Sequence, residues 1–170
     1  LKKIDREGGR GPAIILSRAD KNFVKQLFEQ EVPEIEDGTV EIKAIAREAG
    51  RRTKIAVFSS VAGVDPVGTF VGSKGIRVAA VMNEIGDSEK IDIVTWDADE
   101  KNFIANSLSP AEISRIDILP EEKNEYGDLV KKAVVYVLQE QQSIAIGKQG
   151  QNVRLASMLT GYEINIATEE

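Results

Sequence analysis

Apolar positions in this chain change period in a fixed order, and the order occurs twice. Phe23, Val24, Leu27 and Phe28 are spaced for one face of a helix. Ser17-Arg18-Ala19-Asp20 reads as the capping box that opens it, and Pro33 ends it. Val40 to Ala46 then alternates apolar and polar, the signature of a strand with one face in a core. Ala49-Gly50-Arg51-Arg52 turns the chain, and Thr53 to Phe58 returns as a second strand. Asp65-Pro66 opens a short helix that stops at Gly72. A further helix starts near Gly75, with Val78, Val81, Met82 and Ile85 on one face, and Gly86 closes it. Ile91 to Val94 is a third strand.

The second pass runs from residue 97. Asp97 to Asn106 predicts a helix, Ile113 to Leu119 a strand, Glu121 to Gly127 a polar turn, and Ala133 to Leu138 a buried strand. Gln139 to Ile146 is a short helix ended by Gly147, and Gly150 to Thr160 another, stopped by Gly161. Tyr162 to Ile166 is the last strand. The fold class is therefore α+β: two units, residues 17–96 and 97–170, each ordered α-β-β-α-α-β with a three-stranded sheet and helices on one face. Residues 1–16 stand apart as a leftover edge. There Gly8 to Pro12 makes a turn, and Ala13 to Leu16 is a short strand with no obvious hairpin partner.

The repeat brings two glycine pairs to matching places. Val71-Gly72-Ser73-Lys74-Gly75 and Ile146-Gly147-Lys148-Gln149-Gly150 each lie between two short helices, after a strand pair and before a helix and a strand. Glycines so close leave backbone without Cβ atoms, so another backbone can approach. A helix starting at the second glycine turns its free N–H groups and positive dipole end toward that visitor. Tight packing of the two helices would need the same glycines. A third Gly-x-x-Gly, Gly8 to Gly11, follows no helix and has no role assigned. Gly68 to Lys74 is no Walker A loop, because its glycine spacing is short and no Ser or Thr follows the lysine. No Gly-x-Gly-x-x-Gly follows a strand, which argues against a dinucleotide fold.

Composition narrows the chemistry. The chain has neither Cys nor His, which removes disulfides, Cys/His zinc sites, thiol nucleophiles and Ser-His-Asp triads. No enzyme activity, cofactor or metal is expected, and no apolar run is long enough to cross a membrane. The absence of Cys fits the cytoplasm. A net charge of −6 argues against a nucleic-acid partner, but the charge is sorted. Between Lys43 and Val78 stand seven basic residues (Lys43, Arg47, Arg51, Arg52, Lys54, Lys74, Arg77) against Glu48 and Asp65. Between Asp117 and Asp128 stand five acids against Lys123. Ordinary solvated faces also cluster charge in this way. Aromatic content is 5%, too low for a sheet of stacking platforms, and Trp96 reads as a core or inter-unit plug.

At the glycine pairs the sequence resembles the type II KH family, whose loop between two helices is Gly-x-x-Gly with a basic residue inside. The whole chain is similar to the tandem KH region of the NusA family of bacterial transcription factors. The match is carried by Glu31 to Ile35, Val40 to Glu48, Arg52 to Val57, Val64 to Gly68, Lys90 to Val94, Leu108 to Ala111 and Ser143 to Ala156. The stretch Asp117 to Asp128 is more acidic than the resemblance leads one to expect.

The resemblance implies that residues 1–16 are the last strand of a preceding S1 domain. It also implies binding of single-stranded nascent RNA, with the loop clamping the backbone and the bases lying over an apolar groove. Carried over, Gly72, Gly75, Gly147 and Gly150 permit backbone contact, and Ser73 lies in the first loop. Lys74 and Lys148 meet phosphate, Arg77 and Arg154 reach phosphate or base edges, and Gln149, Gln151 and Asn152 can read base edges. The implied setting is modulation of pausing, termination and antitermination, with RNA polymerase and elongation factors as partners of a monomeric, cytoplasmic protein. Two other readings stay open: a KH module acting on structured ribosomal RNA, and a protein–protein adaptor whose glycine loops only pack helices.

Overall fold

The computed structural model describes residues 3–4, 14–86 and 88–169. Strand β1 (Lys3–Ile4) pairs antiparallel with β2 (Ile14–Ile15), so the first apolar strand does have a partner. The Gly8 to Pro12 turn and its Gly-x-x-Gly lie outside the described residues.

In the first unit, helix α1 (Lys21–Glu31) opens three residues later than the capping box suggests. Asp20 is still extended, with φ −72° and ψ 143°, and its Oδ1 accepts the Asn22 N–H at 2.9 Å. Pro33 ends this helix and also begins a single-turn helix α2 (Pro33–Glu36). Strands β3 (Glu41–Glu48), β4 (Arg52–Phe58) and β5 (Lys90–Thr95) form a sheet in the order β3-β4-β5, the first pair antiparallel and the second parallel. Helices α3 (Pro66–Val71) and α4 (Ile76–Ile85) lie between β4 and β5 in sequence.

The second unit repeats the plan. Helix α5 (Glu100–Ser107) leads to β6 (Arg115–Ile118), and the polar turn then holds a small hairpin, β7 (Glu122–Lys123) with β8 (Leu129–Val130). Strand β9 (Lys132–Leu138), helices α6 (Gln139–Ile146) and α7 (Gln151–Thr160), and β10 (Glu163–Glu169) complete it. The sheet order is β6-β9-β10, with β9 central, antiparallel to β6 and parallel to β10.

Each unit has its own core. Val24, Phe28, Ile55, Val57, Phe70 and Val81 fill the first; Ile104, Leu108, Ala133, Val135, Val137 and Ile164 are prominent in the second. A third cluster joins them: Ala46, Ala56 and Val94 on the outer face of the first sheet meet Phe103, Leu155 and Leu159 of the second unit. Helices therefore cover one face of each sheet from within its own unit, as the sequence predicts, and the first sheet is covered on its other face too. Alternation explains this. Thr53, Ile55 and Val57 point to one side of β4, while Lys54, Ala56 and Phe58 point to the other. Alanines on that second side let helix α7 approach closely.

Polar groups tie the same interface. Lys54 is fully buried, and its ammonium donates to Asp92 at 3.1 Å and to the Ser109 carbonyl of the second unit at 2.9 Å. Burial lowers the Lys54 pKa, against the pull of Asp92. Trp96 packs edge-on to Phe58 at 5.2 Å and near Phe103 at 6.3 Å, with the Lys43 ammonium 4.7 Å from its ring. It is the inter-unit plug that the sequence suggests.

Candidate nucleic-acid interface

The two glycine loops have the same backbone. Gly72 and Gly147 adopt φ/ψ of 79°/169° and 78°/170°. Lys74 and Gln149 adopt 55°/27° and 57°/27°, and Gly75 and Gly150 adopt 74°/17° and 72°/13°. Residues 73–75 and 148–150 each make one turn of tight helix that leads into α4 and α7. Two consecutive left-handed residues bend each corner, and only the second is glycine. Lys74 and Gln149 hold a conformation that costs an ordinary side chain about 1–2 kcal/mol.

The glycines divide the work. A Cβ on Gly72 would sit 2.8 Å from Arg77 Cγ and 3.0 Å from Arg77 N; one on Gly147 would sit 2.7 Å from Asn152 Cβ and 2.8 Å from its N. The backbone that approaches the first glycine is thus the chain's own, five residues on, and not a visitor's. On Gly75 and Gly150 a Cβ would meet nothing nearer than 4.0 Å and 3.7 Å. These second glycines have room for a side chain, and positive φ is what requires them. The N–H groups at the corner are also partly used. Gly75 N donates to Gly72 O and Gly150 N to Gly147 O, both at 3.1 Å, and the next residues' N–H groups donate to Ser73 O and Lys148 O.

Among the side chains, Ser73, Lys74, Lys148 and Gln149 are exposed. The two lysines are offset: Lys74 is the second residue inside its loop, Lys148 the first. Arg77 is held instead. Its Nη1 donates to Glu34 at 2.8 Å and to the Thr69 carbonyl at 2.9 Å, and its Nη2 donates to Glu34 at 3.1 Å. These hydrogen bonds draw the Glu34 pKa below the usual carboxylate range. Asn152 is fully buried rather than presented at the surface. Its Nδ2 donates to the Leu108 carbonyl at 3.0 Å and the Ala145 carbonyl at 2.9 Å. Arg154, 44% exposed, pairs with Glu48 of the first unit and donates to the Gln149 carbonyl at 3.0 Å. Gln151 reaches the same Glu48 at 3.3 Å.

The basic stretch is likewise less naked than its composition suggests. Arg47 lies buried against Glu89 at 3.0 Å, and Arg52 and Lys54 share Asp92. Buried Glu89 would be harder to ionise, yet Arg47, the Gly50 N–H and the Thr53 hydroxyl together bring its pKa below the ordinary value. Exposed positive charge remains at Arg51, Lys74, Lys90 and Lys148. Arg51, Lys90 and Lys148 line one open groove of about 790 Å³ with Arg52, Asp92, Ile144, Gln149 and Gln151. Its walls come from both units, so the second corner faces the hairpin and β5 of the first. The first corner opens on a separate groove of about 640 Å³, whose walls include Val64, Gly68, Gly72, Ser73 and the exposed Ile76. Lys90 was not foreseen from the sequence. The parallel pairing of Arg52 with Lys90 places it, and that register is the signal that could have found it.

Known proteins share this arrangement. Residues 18–96 match the model of the NusA-like first KH domain, and residues 100–170 match that of the NusA-like second KH domain. The transcription termination/antitermination protein NusA of Thermus thermophilus is 51% identical over all 170 residues, which span 41% of that protein. The protein of the same name from Bacillus subtilis is 50% identical over 160 residues, covering 94% of this chain and 41% of the relative. For Rickettsia prowazekii the figures are 50% over 168 residues, 97% and 32%. The chain thus spans well under half the length of these relatives. The crystal structure of APE1850 has the same fold, with a TM-score of 0.60 and 22% identity over 88% of this chain and 97% of that one. With the repeated α-β-β-α-α-β plan, the paired corners and both family matches in hand, the chain belongs to the NusA family and comprises its first and second KH domains.

Proposed function

We propose that the chain binds single-stranded RNA along its two glycine corners, and that the longer protein acts in transcription termination and antitermination with RNA polymerase. The observation that carries this reading is the identity of the two corners. Two loops of different sequence, Ser-Lys and Lys-Gln, adopt one strained backbone, each with an exposed lysine. Packing of helices accounts for the first glycine of each pair but not for an exposed, left-handed residue beside the second. Lys74 and Lys148 meet phosphates, the polar atoms of Ser73, Gln149 and Gln151 bond RNA, and Gly75 and Gly150 leave the corner bare. Arg51 and Lys90 of the first unit add positive charge to the groove of the second corner. The surrounding acidic surface discourages RNA elsewhere. Rigid linkage of two weak sites raises the effective concentration at the second.

The test is charge reversal in each loop, Ser73→Asp with Lys74→Asp, and Lys148→Asp with Gln149→Asp. Folding by circular dichroism is expected to stay unchanged while affinity for a short single-stranded RNA is lost. Retained affinity would reject the corners as the binding site. The adaptor reading predicts that retention.

A further inference from the structure

We infer that Arg77 and Asn152 are positioning residues that set the shape of the two corners, and that neither touches RNA; the inference rests on the RNA-binding reading above. The two residues hold the same place, five positions after the first glycine. A Cβ on that glycine would come within about 3 Å of each residue's backbone N and Cβ, so each is the reason the glycine has no side chain. Both side chains then turn back. Arg77 donates to the Thr69 carbonyl in α3 at 2.9 Å, and Asn152 to the Ala145 carbonyl in α6 at 2.9 Å. A second bond reaches outward to the start of the unit: Arg77 to Glu34 of α2, Asn152 to the Leu108 carbonyl that follows α5.

One is a partly exposed cation and the other a buried amide, so their chemistry is unrelated. What they share is the hook: the helix before the corner, the helix after it, and a helical end earlier in the unit (α2, ahead of β3, in the first; the cap of α5, ahead of β6, in the second), joined through one side chain. Such a splint fixes the angle between the helices flanking the loop, and through it the left-handed residue beside the open glycine. Glu34 belongs to the same device, since it holds the outer end of Arg77. The pairing gives the two roles of Arg77 opposite signatures. If Arg77 were a phosphate contact restrained by Glu34, freeing it would strengthen binding. As a splint, it needs Glu34.

The experiment measures binding of a fluorescently labelled single-stranded RNA of mixed sequence across a KCl series, well below the melting temperature of every variant. Glu34→Gln and Arg77→Gln alter the first hook, and Asn152→Ala the second. Each is expected to weaken binding about fivefold, the worth of one hydrogen bond, with the log–log salt slope unchanged. Amide resonances of Ser73 to Gly75 should shift in the first two variants while those of Lys148 to Gly150 stay put. Tighter binding by Glu34→Gln overturns the inference. So does a slope flattened by about 0.7 in Arg77→Gln, the mark of one lost phosphate contact to a single strand. Lowered melting temperatures with unchanged affinity would make the hooks merely structural and also overturn it. Should Asn152→Ala fail to fold, the two surface variants decide alone. An unaltered chain that binds no RNA at low salt overturns the RNA reading itself, a result distinct from all of these.

Discussion

The outer faces of the two sheets differ although both sheets follow one topology. On the first sheet that face presents Ala44, Ala46, Ala56 and Val94, and α7 with Leu155 and Leu159 lies on it. On the second, the corresponding strands present Arg115, Asp117, Val134, Tyr136, Glu163 and Asn165, and among the described residues no helix covers them. Arg115 lies 4.2 Å over the Tyr136 ring and 3.5 Å from Asp117, so the face is dressed for water by its own side chains. Small apolar residues on one sheet and charged or aromatic ones on the other make the pairing directional. The seat for a helix of the other unit is therefore on the first sheet only, among the described residues. The covered face also brings the second corner against the first unit's hairpin, so inter-unit packing and the candidate RNA groove are one piece of construction.

The sharpest way to break that asymmetry is to overfill the seat. Ala56 is fully buried in the central strand beneath α7, and Ala56→Leu adds three carbons where none fit. A loss of about 3 kcal/mol in urea unfolding is expected, near the upper end for overpacking. Fluorescence of Trp96, the single tryptophan, should move toward that of a solvated indole as the units part. Emptying the seat comes next. Leu155→Ala removes a fully buried side chain from the same cluster and should cost about 2–3 kcal/mol. If either variant unfolds only the first or second core with Trp96 unmoved, the inter-unit cluster is not what holds the tandem together.

Much of this was legible in the chain, for reasons that differ by element. Val78, Val81, Met82 and Ile85 mark α4 because a helix packed on a sheet needs one apolar stripe. The corners were visible because glycine is the residue that accepts positive φ cheaply. Asp20 shows where local reading stops: Ser17 and Asp20 can both cap, and only the path of the entering chain chooses. The acidic turn at 121–127 hid a two-residue ladder too short to leave a period. At the site, residue type is legible in the chain and exposure is not. The donors of Arg77, Asn152 and Arg154 suit RNA, and within the fold they bond Glu34, two carbonyls and Glu48. Partners 43 and 106 residues away leave no local trace.

A smaller effect sharpens the comparison through pH. Glu48 projects from the covered face to Arg154, whose hydrogen bond draws the carboxyl below its ordinary value of 4.5. A carboxylate with a depressed native pKa contributes stability in full above its unfolded value. That contribution is lost as pH falls through the lower native value. Glu48→Gln should therefore lower the urea midpoint at neutral pH by less than Leu155→Ala does, and should flatten part of its fall below ~pH 4.5. A wild-type midpoint equally acid-sensitive in the variant would mean that other carboxylates, Glu89 foremost, carry the whole dependence.

The smallest effect is expected on the open face, and it is the control that gives the others meaning. Tyr136→Ala removes an aromatic ring from the central strand of the second sheet, at a position whose side chain points away from the core. It gives up the Arg115 contact and some strand propensity, together about 1 kcal/mol. Trp96 fluorescence and RNA affinity should both stay as they were, because among the described residues no helix rests on that face. If Tyr136→Ala instead costs as much as Leu155→Ala, the face is not a free surface, and the difference between the two sheets would need another cause than the helix that covers one of them.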